Sequence, residues 1–216
     1  MNRHILSLYF IMGSNNTNES PVHVLQQAIE GGITCFQFRE KGHGALVGKE
    51  KQQLARELQQ VCQANGVPFF VNDDLKLALE LEADGIHVGQ DDIPVREIKK
   101  LAPASMLVGV SAKTLEEAKS AVEDGADYIG TGPMFITSTK EDADVPVGPE
   151  RIRFLREEGM TLPIVGIGGI DEKNAHHVLE AGADGIAVIS AISMSRHPKQ
   201  ATSDLKKILM ENGRNE

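Results

Sequence analysis

Tryptophan is absent from this chain of 216 residues, and aromatic residues make up only 4% of it. A surface that recognises its ligand by stacking aromatic rings is not expected. Only two cysteines occur, Cys35 and Cys62, too few for a disulfide framework or a pair of metal-binding knuckles. Long hydrophobic runs are missing too. The apolar stretches are a few residues each, far short of the roughly 20 that span a bilayer. Met1-Asn2-Arg3-His4 leads straight into a strand-like run, without the apolar core and cleavage site of a secretory signal. The expected compartment is the cytoplasm, with no membrane association. Positive charge is also short: 22 Lys and Arg stand against 31 Asp and Glu, a net charge of −9. A nucleic-acid partner is not expected, because neutralising a phosphate backbone takes a basic face. A small phosphorylated ligand remains compatible with the charge if a few cations gather at one mouth.

Glycine is plentiful, at 21 residues, and much of it recurs in one phrase. Glu30-Gly31-Gly32-Ile33, Glu82-Ala83-Asp84-Gly85-Ile86, Glu123-Asp124-Gly125-Ala126-Asp127-Tyr128-Ile129 and Glu180-Ala181-Gly182-Ala183-Asp184-Gly185-Ile186 each follow a helix-period segment and precede a short β-branched run. Glycine closes the helix in the left-handed conformation and the next residues enter a strand. A helix-to-strand joint used four times points to an α/β repeat. Strand-like runs lie at 5–11, 33–38, 67–71, 85–88, 106–110, 127–131, 163–167 and 185–189. Helix-like segments lie at 21–30, 46–64, 75–82, 93–101, 114–124, 149–158, 171–182 and 201–212. Thr114 and Glu117 form a capping box, and Asp171 and Pro149 suit helix starts. With no linker between them, these segments predict a single (β/α)8 barrel domain over residues 1–216. An open doubly wound sheet is the second choice, although no Gly-x-Gly-x-x-Gly opens the first helix.

In such a barrel the active site lies at the C-terminal strand ends. Gln37, Arg39 and Lys41 are spaced by two, so they share a strand face, which Cys35 and Ile33 continue inward. Two cations and an amide there make an anion site. Asp73 and Asp92 end neighbouring strands and suit a hard cation such as Mg²⁺; turn support is the other reading of Asp92, while Asp74 can cap the next helix and so spare Asp73. Gly168-Gly169 and a helix start at Ser190 match a phosphate-binding corner. Thr137-Ser138-Thr139-Lys140 adds hydroxyls and a cation on the long 132–148 loop. His87 reads as a satisfied barrel residue, and His176 and His177 are adjacent on one helix and cannot share a metal. Two anion sites suggest two phosphorylated molecules or one bisphosphate; spacing does not choose.

Taken together, Gln37-Phe38-Arg39-Glu40-Lys41, Val71-Asn72-Asp73, Gly89-Gln90-Asp91-Asp92-Ile93-Pro94, Gly109-Val110-Ser111, Gly132-Pro133-Met134-Phe135 with Thr139-Lys140, Gly166-Ile167-Gly168-Gly169-Ile170 and Ile189-Ser190-Ala191-Ile192 resemble the thiamine-phosphate synthase family from about residue 5 to residue 209. The resemblance implies a (β/α)8 barrel that joins hydroxymethylpyrimidine pyrophosphate to a thiazole phosphate, giving thiamine phosphate and pyrophosphate. It implies that Gln37, Phe38, Arg39, Glu40, Lys41, Asn72, Ser111 and Lys140 hold the pyrimidine pyrophosphate, with Arg39, Lys41, Ser111 and Lys140 catalytic. Asp73 and Asp92 would bind one Mg²⁺ per site. Thr137, Ser138, Thr139, Gly169, Ile189 and Ser190 would hold the thiazole phosphate. Thr137-Ser138-Thr139 departs from the family, which often has proline between the threonines. The other readings are a related thiazole tautomerase and a catalytically silent barrel that senses thiamine phosphate. The expected partners are small phosphorylated molecules, and a homo-oligomer is compatible with the sequence.

Overall fold

Alternating inward and outward side chains on short parallel strands organise the molecule, a computed structural model that describes residues 2–137 and 145–212. The strands are β1 (Leu8–Met12), β2 (Cys35–Phe38), β3 (Phe69–Asn72), β4 (Gly85–Val88), β5 (Leu107–Ser111), β6 (Tyr128–Thr131), β7 (Ile164–Ile167) and β8 (Gly185–Val188). They pair in chain order, all parallel, and β8 returns to β1 to close the barrel. The (β/α)8 expectation holds, and closure excludes the open sheet. The helices are α1 (Pro21–Gly31), α2 (Gly48–Ala64), α3 (Leu75–Glu80), α4 (Val95–Leu101), α5 (Leu115–Glu123), α6 (Glu150–Glu157), α7 (Ala175–Glu180), α8 (Ser190–Ser193) and α9 (Pro198–Asn212).

Two hydrophobic layers follow from the strand period of two. Phe10, Phe36, Phe38 and Phe69 face outward beneath the helices, with Leu25, Leu58, Ile98 and Leu155. Tyr9, Ile11, Cys35, Phe70, Tyr128, Val165 and Ala187 fill the interior. Ile33 belongs to the outer layer, so it does not continue the inward face of Cys35 and Gln37: β2 begins only at Cys35. The first strand likewise starts later than its apolar run. Arg3–Leu6 is a 3-10 turn whose Leu6 plugs the interior from below. A Cβ on Gly185 would lie 1.8 Å from the Leu6 carbonyl oxygen, so this close approach requires glycine.

The repeated joint has a second function beyond the glycine turn. Gly32, Gly125 and Gly182 take positive φ, whereas the second copy uses Glu82 at φ 49°. The residue entering each even strand then grips the start of the strand before it. The backbone N–H groups of Thr34, Asp84, Asp127 and Asp184 donate to the carbonyls of Leu8, Phe69, Val108 and Ile164. Their side-chain oxygens accept from the N–H groups of those same four residues at 2.7–2.8 Å. The reciprocal pair satisfies a donor at the start of the strand and fixes its register. Asp127 also pairs with Lys99 at 2.6 Å, and Asp184 with Arg3 at 2.7 Å.

The capping box of Thr114 and Glu117 is formed. Asp171 caps a turn instead of the expected long helix: its carboxylate accepts from the Lys173 N–H at 2.9 Å, and α7 begins only at Ala175. Asp127→Ala leaves the buried-side N–H of Val108 without its acceptor and is expected to cost about 1–3 kcal/mol of stability. Asp127→Asn, which keeps an acceptor oxygen, should recover part of that loss. Urea denaturation of both variants measures the difference.

Candidate active site

The strand ends open into a cavity of about 280 Å³. Its floor is the top of the barrel packing. Tyr9, Phe70 and Tyr128 place their ring centroids 5.5–6.1 Å apart, and His87 lies 5.5 Å from Tyr128. These rings fit because glycine stands opposite them. A Cβ on Gly109 would lie 2.1 Å from the Tyr128 ring, and one on Gly85 2.2 Å from that of Phe70. The Gln37 amide donates to the Tyr9 hydroxyl at 2.9 Å; Tyr9 and Tyr128 hydroxyls are 2.9 Å apart. His87 Nδ1 meets the Tyr128 hydroxyl and Nε2 meets Ser111 Oγ, both at 3.1 Å. Burial pushes both phenols well above the ordinary tyrosine range, so each hydroxyl keeps its proton.

On one wall, Gln37, Arg39 and Lys41 all line the cavity, as their spacing requires. Arg39 is 9% exposed and its guanidinium forms no ion pair among the described residues. Such a cation, largely withdrawn from water, favours an anionic ligand beside it. Lys41 Nζ donates to Asp73 Oδ2 at 2.7 Å. Asp73 holds a left-handed backbone at φ 60°, which turns the chain from β3 into the α3 cap. Asp74 is that cap: it accepts from the Leu77 N–H at 3.0 Å and pairs with Lys51 at 2.7 Å. Asp73 is thereby spared, as its neighbour's capping role suggests. Desolvation, with a further push from Asp92, raises the Asp73 carboxyl above the ordinary aspartate range despite the pull of Lys41. Asp92 accepts from the Gly89 N–H at 2.8 Å, supporting its own turn while lining the cavity.

The donor chemistry of Asp73 and Asp92 fits a hard divalent cation. Two carboxylates provide an incomplete shell, and no cluster of three or more His, Cys, Asp or Glu suited to a metal occurs among the described residues. Phosphate oxygens and water would have to complete the coordination. On the opposite wall, Gly168 and Gly169 have φ of 98° and 66°. A Cβ on Gly169 would lie 2.6 Å from the Ile136 carbonyl oxygen. The glycines therefore let the β7 loop tuck beneath residues 133–136, beside Ile189 and the start of α8 at Ser190.

Asn72, Ser111 and Thr137 also line the cavity. Phe38 and Glu40 do not. Strand alternation sends Phe38 into the helix layer, where it stacks on Phe69 at 6.5 Å. Glu40 accepts from the Ser14 N–H at 2.8 Å, the Ser14 hydroxyl at 2.6 Å and the Leu46 N–H at 2.7 Å. It braces two loops. Ser138, Thr139 and Lys140 lie outside the described residues. Sequence reasoning overlooked Tyr9 and Tyr128; their inward strand positions and the glycines of adjacent strands were the available signal.

A family model described as thiamine monophosphate synthase matches residues 8–192. A thiamine-phosphate synthase of Bacillus thuringiensis (strain Al Hakam) is 55% identical over 201 residues, covering 93% of this chain and 91% of the relative. A Bacillus cereus (strain AH820) protein of the same name gives the same figures. The solved thiamine phosphate pyrophosphorylase of Pyrococcus furiosus is 38% identical and superposes with a TM-score of 0.87, covering 97% of this chain and 98% of that one. Gly169→Ala is expected to strain the left-handed turn and displace residues 135–136. A lower melting temperature and weaker binding of inorganic phosphate, read by calorimetry, are the predicted results; an unchanged protein would remove the steric argument.

Proposed function

The chain belongs to the thiamine monophosphate synthase family, and on that premise we propose how its cavity performs the condensation of hydroxymethylpyrimidine pyrophosphate with thiazole phosphate. The observation that carries the reading is the pair of anion-suited walls on one cavity: Arg39 and Lys41 on one side, Gly168-Gly169 and Ser190 on the other. A single cavity that receives a pyrophosphate and a separate phosphate suits the joining of two such molecules. The Bacillus relatives are named thiamine-phosphate synthase and the Pyrococcus structure thiamine phosphate pyrophosphorylase, which favours this activity over the tautomerase and the silent sensor.

Arg39 and Lys41 receive the pyrophosphate group, together with Lys140 by resemblance. Gln37, Asn72 and Ser111 orient the pyrimidine. The bond from the methylene carbon to the pyrophosphate oxygen breaks, and its electron pair leaves with pyrophosphate. The electron-rich ring stabilises the carbocation. The thiazole nitrogen then donates its lone pair to that carbon. Cations held where negative charge grows lower the barrier, because they are already oriented when the charge appears. The thiazole phosphate is a handle held at Gly169, Ile189 and Ser190, with Thr137, Ser138 and Thr139 from the loop, so much of the rate comes from orientation. No group has to remove a proton from carbon, so no strong general base is required. Asp73 and Asp92 would hold Mg²⁺, which supplies charge neutralisation to the leaving pyrophosphate.

Mixing both phosphorylated substrates with Mg²⁺ should yield thiamine phosphate and pyrophosphate. Interconversion of thiazole tautomers without that product would identify an isomerase instead. Asp92→Ala should abolish the Mg²⁺-dependent turnover while leaving the circular dichroism spectrum intact; unchanged activity would remove the metal assignment. Lys140→Ala should slow turnover by about 10²-fold, the effect of losing one preorganised electrostatic donor. Near-normal kinetics would count against its action on the leaving group.

A further inference from the structure

We propose that Tyr9, Tyr128 and His87 are positioning residues whose hydrogen bonds run in one direction, from Gln37 to Ser111, and fix Ser111 as a donor to the substrate. The inference rests on the cavity being the condensation site, and goes beyond it by assigning work to three floor residues. Gln37, 2% exposed, gives an amide hydrogen to the Tyr9 oxygen. Tyr9 and Tyr128 are 1% and 0% exposed. Each brings one proton, and each has one neighbour behind and one ahead. With its oxygen receiving from Gln37, Tyr9 places its proton on Tyr128. Tyr128 in turn places its own on His87 Nδ1. An imidazole that accepts at Nδ1 carries its hydrogen on Nε2, and Nε2 faces Ser111 Oγ. Ser111 therefore receives from His87, and its own proton is left to point into the cavity it lines.

The reverse arrangement fails on the same counting. A proton on Nδ1 would be donated to Tyr128, whose proton would then face Tyr9. Tyr9 would receive hydrogens from both Gln37 and Tyr128, and its own buried hydrogen would have no acceptor, at the cost of an unsatisfied donor. The rest of the floor holds the chain in place. Gly130 lies under the His87 ring, where a Cβ would come within 3.1 Å of Cε1. Gln90 donates to the Ser111 carbonyl and anchors its backbone. The chain thus ties together two residues on opposite sides of the barrel, Gln37 and Ser111, and makes their polarities depend on each other.

Long-range ¹H–¹⁵N correlation spectra of the ¹⁵N-histidine-labelled protein, with the His87→Gln variant to assign the signal, read the tautomer without any substrate. The expected pattern is hydrogen on Nε2. Hydrogen on Nδ1 would mean that Gln37 turns its oxygen to Tyr9 and the chain runs backward, which overturns the proposal. Kinetics test the route through Ser111. Tyr128→Phe should raise KM for the pyrimidine pyrophosphate about tenfold, the loss of one hydrogen bond, and leave KM for the thiazole phosphate unchanged. In a Ser111→Ala background the same substitution should cost nothing more. Equal losses in both backgrounds would make Tyr128 a packing residue only and overturn the route. A parent protein with no condensation activity would defeat the functional reading, while the tautomer would still decide the direction of the chain.

Discussion

Eight parallel strands closed on themselves leave an interior that only their own inward side chains can fill. This chain fills it with a few large rings and matching gaps. Tyr9, Phe70, Tyr128 and His87 occupy the middle, and Gly85, Gly109 and Gly130 give them room. Interior packing tolerates neither void nor overlap, so ring and glycine are one choice. The low aromatic content and the high glycine content thus describe the same object. The arrangement also determines the site. The upper surface of the packed rings is the cavity floor, and three of these four rings carry polar atoms that have to be satisfied where they sit. A hydrogen-bonded floor follows from filling the barrel with Tyr and His instead of leucine.

The outer frame depends on a different repeated contact. A parallel strand gains no register from a tight hairpin, because its neighbour arrives after a helix. Here Thr34, Asp84, Asp127 and Asp184 supply it, each exchanging two hydrogen bonds with a residue at the start of the preceding strand, the first residue of β1, β3 and β7 and the second of β5. A shift of one residue would break both bonds and turn every inward side chain outward. The four contacts lie at the end of the barrel opposite the cavity. Register set there determines which residues reach the mouth, so Arg39 and Lys41 face the cavity partly because Thr34 is tied to Leu8.

Much of this was legible in the residues. The repeated helix-to-strand phrase announces the alternation, and period-two spacing brings Gln37, Arg39 and Lys41 to one wall. Asp74 and the Thr114–Glu117 box act as their positions suggest, because capping is local. The misses are of two kinds. Phe38 and Glu40 sit between true cavity residues in the chain, but strand alternation sends the first outward and Ser14 and Leu46 claim the second. Membership of a motif therefore does not put a side chain in the site. Tyr9, Tyr128 and the strand-entry Asp residues were hidden for the opposite reason. Their partners lie on other strands, and a single pattern along the chain does not report which strands become neighbours.

Net charge is a poor guide to this mouth. Salt screens exposed charges beyond roughly 8 Å at physiological ionic strength, so the many surface carboxylates have little influence on a ligand at Arg39. What matters is the local arrangement, in which a guanidinium with no ion pair among the described residues lies near a lysine held by Asp73, and Asp73 lies beside Asp92. An anion that draws Lys41 away leaves two neighbouring carboxylates, one of them already reluctant to ionise because it is partly buried. Asp73 and Asp92 would hold a hard cation that relieves that repulsion, with the anion's own oxygens completing the shell that two aspartates leave open. The acidic pair and the basic pair are therefore complementary parts of one site. The proposed condensation asks the protein to carry away a polyanion and to position a nucleophile, and this arrangement of charge would serve both without a general base.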